Sequence, residues 1–162
     1  MSSSEINPEV KIAGVICQSL VLYNDQRGWL AEIFRQDELA PEHFPVMAYI
    51  SVTEPGMARG PHVHRDQTDL FCFPGPGDFR VVLWDNRAAS PTVGVRQEFH
   101  LGEACPAMLI VPPGVVHGYK NVGERPGLVC NFANRLYRGP GRREPVDEIR
   151  FEDDPHSSFR LE

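Results

Sequence analysis

This sequence predicts an all-β fold, a barrel or sandwich of short strands, and three observations point to it. First, 14 glycines and 15 prolines among 162 residues leave few uninterrupted windows for long helices. Second, the apolar residues gather in short runs of strand length, at 15–23, 79–84, 108–111 and 127–132, each bounded by Gly and Pro clusters. Third, a chain that is 41% hydrophobic, with no internal repeat or low-complexity tract, can bury one sizeable core but not two. A single domain spanning 1–162 is expected.

The elements follow in order. Residues 1–12 are polar and poorly patterned, so they read as an arm reaching a partner subunit or as a frayed end. The run 15–23 is the first strand. Residues 36–44 have room for a helical turn or two, with Pro41 breaking it. Pro74-Gly75-Pro76-Gly77-Asp78 resembles a phosphate cradle in composition, but phosphate loops feed a helix N-terminus and this one runs into the strand 79–85, so a hairpin turn is expected. Arg135, Arg138, Arg142 and Arg143 surround Gly139-Pro140-Gly141; they suit a diphosphate, or a solvated loop pairing with Glu144, Asp147 and Glu148. Asp153 and Asp154 read as a turn ahead of Pro155, because adjacent residues on a strand point apart and make a poor acid and base pair.

The chemistry concentrates in four residues. His62, His64 and Asp69 lie in Arg-Gly-Pro-His-Val-His-Arg-Asp-Gln-Thr-Asp, and His117 follows in Pro-Pro-Gly-Val-Val-His. Imidazoles plus one carboxylate are the ligands a borderline divalent metal prefers when it keeps positions open for a substrate. His62 and His64 are two apart, which on a strand puts both rings on one face. Asp69 lies an odd number of residues further, so the stretch 65–68 must turn or bulge to return it to that face. Pro112, Pro113 and Gly114 form a stiff turn that delivers His117 from a second strand. A divalent metal is therefore expected on His62, His64, Asp69 and His117, with Zn, Ni, Fe, Mn and Co all admitted by this ligand chemistry. His43, His100 and His156 are expected away from the site.

Composition excludes several functions. A net charge of −6 argues against nucleic acid, whose phosphates require clustered cations. No apolar run is long enough to span a membrane, and the start lacks the basic and apolar pattern of a signal peptide, so a cytoplasmic protein is expected. Cys17, Cys72, Cys105 and Cys130 are widely spaced and read as reduced core thiols. No serine or cysteine sits in a nucleophile motif.

Two resemblances sharpen this reading. Gly56, His62-x-His64, Asp69 and a later glycine, Gly75 or Gly77, resemble the first cupin motif, and Pro112-x-Gly114, His117 and Asn121 the second; they imply a double-stranded β-helix, the jelly-roll barrel. Across 15–159, Asp25-Gln26-Arg27-Gly28 with Glu32, Arg59-Gly60-Pro61-His62, Trp84-Asp85-Asn86-Arg87 with Ser90-Pro91-Thr92, Pro113-Gly114 with His117-Gly118, and Glu152-Asp153-Asp154-Pro155 resemble the dTDP-4-dehydrorhamnose 3,5-epimerase family. That resemblance implies an isomerase acting on a 4-keto-6-deoxy sugar nucleotide, His62 as base beside the ketone, and Arg27, Glu32 and Arg59 as substrate contacts. It also implies a homodimer in which the strand carrying Arg27 joins the neighbour's sheet.

The departures are equally specific. Relatives carry lysine where this chain has Asp69 and glutamine where it has His64, and both changes build a metal site. The family's general-acid tyrosine aligns with Asn131, its nucleotide-contacting glutamine and asparagine with Met47 and Tyr49, and the aspartate that orients its base with no residue up to Glu162. A nitrogen of His62 cannot ligate a metal and act as base at once, which leaves Tyr119, Asp66 and Glu98 as other proton acceptors. The alternative function is a metal-dependent cupin of another class, an oxygenase, a lyase or a small-molecule binding protein.

Overall fold

The computed structural model describes residues 7–161, so residues 1–6 of the expected arm lie outside the described residues. Its strands are β1 (Ile16–Ser19), β2 (Tyr23–Asp25), β3 (Gly28–Leu30), β4 (Met47–Thr53), β5 (Ala58–Val63), β6 (Asp69–Phe73), β7 (Asp78–Asp85), β8 (Arg96–Gly102), β9 (Ala107–Val111), β10 (Val115–Asn121), β11 (Gly127–Ala133) and β12 (Ile149–Arg150). They build one sheet in the order β1-β9-β6-β11-β4, a second in the order β12-β5-β10-β7-β8, and a β2-β3 hairpin. Every strand pair is antiparallel.

Period-2 patterning explains which faces meet. In β8 Gln97, Phe99 and Leu101 are buried while Arg96, Glu98 and His100 are exposed, and β11 buries Gly127, Val129, Asn131 and Ala133. The inward residues form one core between the sheets, including Phe71, Phe73, Phe79, Leu83, Leu109 and Tyr119. Tyr119 meets Phe73 and Phe79 edge-on, at centroid distances of 5.7 and 5.5 Å. β6 and β9 are buried on both faces because Ile33, Phe34 and Leu39 cover Leu70, Met108 and Ile110 from outside.

Two expectations are corrected and a third is met. Pro74 to Asp78 is not a hairpin turn, because β6 and β7 lie in different sheets and the segment carries the chain between them. The turns expected over 36–44 form and are interrupted at Pro41: the Leu39 N–H closes one turn on the Arg35 carbonyl, Ala40 is extended, and Pro41 opens the 3₁₀ turn Pro41–His43, where its missing N–H costs nothing. The start of the chain is docked from residue 9 onward: Gln97 donates to the Glu9 carbonyl at 2.6 Å and accepts from the Lys11 N–H at 2.8 Å, and Ile12 is buried in the core.

The motif at the end of β7 is a structural knot. The fully buried carboxylate of Asp85 accepts from Arg87 Nε at 2.8 Å, Arg87 Nη2 at 2.9 Å, Ser90 Oγ at 2.5 Å and Thr92 Oγ1 at 2.7 Å. These bonds, the Arg87 guanidinium first among them, hold its carboxyl well below the usual carboxylate range. Arg87 also donates to the Ala13 carbonyl and lies against Gly114, whose φ of +79° and lack of Cβ admit it; a Cβ there would come within 2.5 Å of Arg87 Cγ. Asp85→Ala strands a guanidinium and two hydroxyls without their acceptor. It is expected to destabilise the protein by about 3 kcal/mol, read as a lower urea midpoint at unchanged m-value; an unchanged midpoint would refute the role.

Candidate active site

Adjacent strands of the second sheet bring the first two histidines together. His62 on β5 and His117 on β10 are register partners, with ring centroids 4.5 Å apart. The approach depends on Gly60: its φ is +78°, and a Cβ there would stand 2.8 Å from the His117 carbonyl oxygen and 3.0 Å from His62 Nδ1.

His64 lies just past the end of β5, and the chain then crosses to the facing sheet, where Asp69 opens β6. Asp69 follows a turn at 65–68, as expected, but that turn changes sheet instead of returning it to the face of one strand. Asp69 belongs to a strand of the opposite sheet and looks across at the histidines. Asp147 holds the crossing. Its carboxylate accepts from the backbone N–H groups of Arg65 and Asp66, both at 3.0 Å, and of Gln67 at 2.9 Å, while its carbonyl accepts from His64 Nδ1.

One ligand-type atom from each of His62, His64, Asp69 and His117 lies within 4.8 Å of the others. Asp69 Oδ2 is 3.2 Å from His64 Nε2 and 3.2 Å from His117 Nε2. His117 Nδ1 donates to the Val115 carbonyl at 2.9 Å, as His64 Nδ1 does to that of Asp147. With both Nδ1 atoms committed as donors, the rings in their neutral form would turn bare Nε2 lone pairs toward a carboxylate oxygen. Gln67 agrees with this tautomer, its Nε2 lying 3.2 Å from His64 Nε2 and donating to Asp69 Oδ1 at 2.8 Å. Asp69 Oδ1 also receives Asn131 Nδ2 at 2.8 Å, whereas Asp69 Oδ2 and His117 Nε2 are buried without a hydrogen bond.

Acceptors facing acceptors call for positive charge between them, a proton or a cation. Ligand atoms about 2.1 Å from a shared cation stand roughly 3 to 3.5 Å apart, so the donor set and the two 3.2 Å separations of Asp69 Oδ2 fit a divalent ion, while the four-residue set as a whole spreads wider, to within 4.8 Å. The electrostatics point the same way. Burial works against the charges of both His64 and Asp69, but the Asp69 hydrogen bond and charge bring His64 up to about 9, and His117 and His64 hold Asp69 well below its ordinary value. His62 differs. Burial first, then neighbouring His117 and His64, push it down to about 2, and neither of its ring nitrogens is hydrogen-bonded among the described residues.

The other expected residues are placed as follows. Arg59 lies exposed on β5 ahead of His62, donating through Nε to Thr53 Oγ1 at 3.0 Å and through Nη2 to the Val52 carbonyl at 2.9 Å. Arg27 and Glu32 lie away from the cluster on and after the β2-β3 hairpin, exposed and paired with Asp25 and Arg35. Of the other proton acceptors weighed, Glu98 is set aside, since it faces outward on β8 and pairs with Arg96 and His100. Asp66 sits in an exposed loop, and the Tyr119 hydroxyl is 3.0 Å from Ser51 Oγ. The arginine loop meets Glu144 through the backbone, Arg138 Nε donating to its carbonyl at 3.4 Å, but makes no ion pair with Glu144, Asp147 or Glu148 among the described residues: Asp147 binds the crossing loop and Glu148 pairs with Arg150. His43, His100 and His156 stand outside the cluster. Asp147 and Gln67 are site residues that sequence reasoning did not assign, and Tyr49, which the resemblance aligns with a nucleotide-contacting asparagine, meets the cluster through Asn131; Asp147 lies more than 80 residues from the loop it holds, and no local pattern marks it.

A jelly-roll barrel with histidines and a carboxylate converging between its two sheets defines a cupin-type protein. The family profile of dTDP-4-dehydrorhamnose 3,5-epimerase matches residues 9–143, and the chain belongs to that family of isomerases. It is 39% identical over 126 residues to the spore coat polysaccharide biosynthesis protein SpsL of Bacillus subtilis, covering 78% of this chain and 82% of that protein. It is 38% identical over 127 residues to the probable low-salt glycan biosynthesis epimerase Agl13 of Haloferax volcanii, covering 78% and 81%. Among solved structures, the dTDP sugar isomerase of Desulfovibrio desulfuricans G20 superposes with a TM-score of 0.77 at 28% identity, covering 92% of this chain and 91% of that one.

Proposed function

We propose that the protein epimerises a 4-keto-6-deoxy sugar nucleotide by removing and returning a proton on a carbon next to the ketone. The observation that carries this is the placement of His62: half-buried between the sheets, with neither ring nitrogen hydrogen-bonded among the described residues, it has a nitrogen free to meet a substrate proton. His64 and His117 are anchored to backbone carbonyls and face Asp69, so the cluster divides into a fixed His64–Asp69–His117 set and a free His62. A divalent cation held by His64, Asp69 and His117, with His62 alongside, would supply Lewis-acid polarisation of the substrate ketone. Family membership favours this reading over an oxygenase, a lyase or a binding protein.

Arg59, on the same strand as His62, is the substrate contact this chain supplies, its guanidinium suited to diphosphate oxygens. Arg27 and Glu32 serve the site of a second copy. Supporting that assembly, Tyr23, Trp29 and Leu30 of the hairpin and Ile50 and Val52 of the edge strand β4 are exposed large apolar side chains. The cytoplasm is the compartment proposed, in keeping with four unpaired cysteines and no helix among the described residues long and apolar enough to cross a membrane.

The test is solvent exchange. Wild-type protein in deuterium oxide, sedimenting as a dimer, is expected to place deuterium beside the ketone of a 4-keto-6-deoxy sugar nucleotide, followed by NMR with and without added divalent metal. No exchange into any such substrate under either condition would refute the proposal.

A further inference from the structure

Inverting a carbon next to a ketone takes two proton-handling groups, since the proton leaves one face of the planar enediolate and a new one arrives on the other. This inference rests on the epimerase reading above. His62 and His117 belong to the second sheet; the first carries Asp69 and Asn131 and, joined to Asp69 through Asn131, the phenol of Tyr49.

Tyr49 stands on β4 as the register partner of Asn131 on β11. Asn131 Nδ2 donates to the Tyr49 hydroxyl oxygen at 2.7 Å and to Asp69 Oδ1 at 2.8 Å. Asp69 fixes this orientation of the amide, because the flipped form would set the Asn131 carbonyl oxygen against the carboxylate. The phenol oxygen thus accepts from Asn131, and its own O–H has no acceptor among the described residues. That leaves it free to donate to a ligand. The side chain is also reachable, Tyr49 being 48% exposed. Tyr119, the buried phenol nearby, is set on the same sheet as His62 and engaged with Ser51 Oγ. Burial, and then the charge of Asp69, raise the Tyr49 phenol, so it carries its proton at neutral pH.

We propose that Tyr49, oriented by Asn131, is the catalytic residue that delivers the proton to the face of the intermediate opposite His62. The C–H bond on the first face breaks with its proton passing to His62 and its electron pair into the enediolate. The new C–H bond then forms from that electron pair and the phenolic proton, leaving a tyrosinate. Proton exchange with water returns the imidazolium and the tyrosinate to their neutral forms.

Tyr49→Phe removes one oxygen from a half-exposed side chain, and an unchanged melting temperature checks that the fold is intact. In deuterium oxide the variant is expected to retain exchange beside the ketone within about tenfold of wild type, while inverted product falls by about 100-fold or more. Inverted product within threefold of wild type would overturn the assignment. So would parallel loss of exchange and inversion, which marks a binding role. Wild-type protein that neither exchanges nor inverts overturns the epimerase reading and this assignment with it, whereas either variant result beside an active wild type bears on Tyr49 alone.

Discussion

His62→Gln protein is expected to lose exchange of solvent deuterium beside the ketone by at least about 100-fold, with little change in stability. The substitution keeps a polar side chain of similar reach but removes the group that takes the proton. His62 has no hydrogen bond among the described residues to lose, and its neutral ring makes only edge contacts with His64 and His117, so the fold does not depend on it. Because the anchored His64, Asp69 and His117 remain, bound metal measured by elemental analysis should fall far less than activity does. Exchange within threefold of wild type would remove His62 from the mechanism. Loss of metal in step with activity would instead make it chiefly a ligand.

Asp69→Asn is expected to do the converse, weakening divalent-metal binding by 100-fold or more in a titration of metal-free protein. The amide keeps the size of the side chain but removes the charge that His64 and His117 face at 3.2 Å. It also turns an NH₂ group toward either the donors Gln67 and Asn131 or the histidine nitrogens. The metal-free protein carries a further signature. Folded His64 titrates at about 9, above the ordinary 6.5, so its pairing with Asp69 contributes stability that is fully present below pH 6.5 and lost as pH rises through 9. Asp69 is shifted the other way, so its contribution is present above the ordinary carboxylate value of 3.8 and lost as pH falls below it. The stability difference between wild type and Asp69→Asn should accordingly be greatest between about pH 4 and 6.5, on the order of 3 kcal/mol, and shrink toward pH 9. A difference independent of pH, with metal affinity unchanged, would show that the carboxylate is merely packed there.

Much of this was written in local pattern. Short apolar runs between Gly and Pro clusters mark β7, β9 and β11 to within a residue or two, because a strand half-buried in a two-sheet stack needs only alternation and a turn at each end. The run 15–23 is not a single strand: only 16–19 pairs in the main sheet, and the chain then leaves to form the separate β2-β3 hairpin. The site was legible as a set of residue types, since three imidazoles and a carboxylate in those two motifs have few other uses. Its construction was not. The spacing of Asp69 demands a turn at 65–68, which is present, but nothing in the spacing says that the turn changes sheet.

What the sequence alone determined is the fold class, the family and the identity of the four clustered side chains, because each depends on residues near one another in the chain or on motifs in fixed order. What only the tertiary structure decided is which side chains serve those four. Asp147 reaches back to the crossing loop, Gln67 and the backbone acceptors set the histidine tautomers, and Tyr49 stands beside Asn131 on the wall opposite His62. These relations join residues on different strands and sheets. They arise from how two sheets stack and pair in register, and no period or spacing along the chain encodes that stacking.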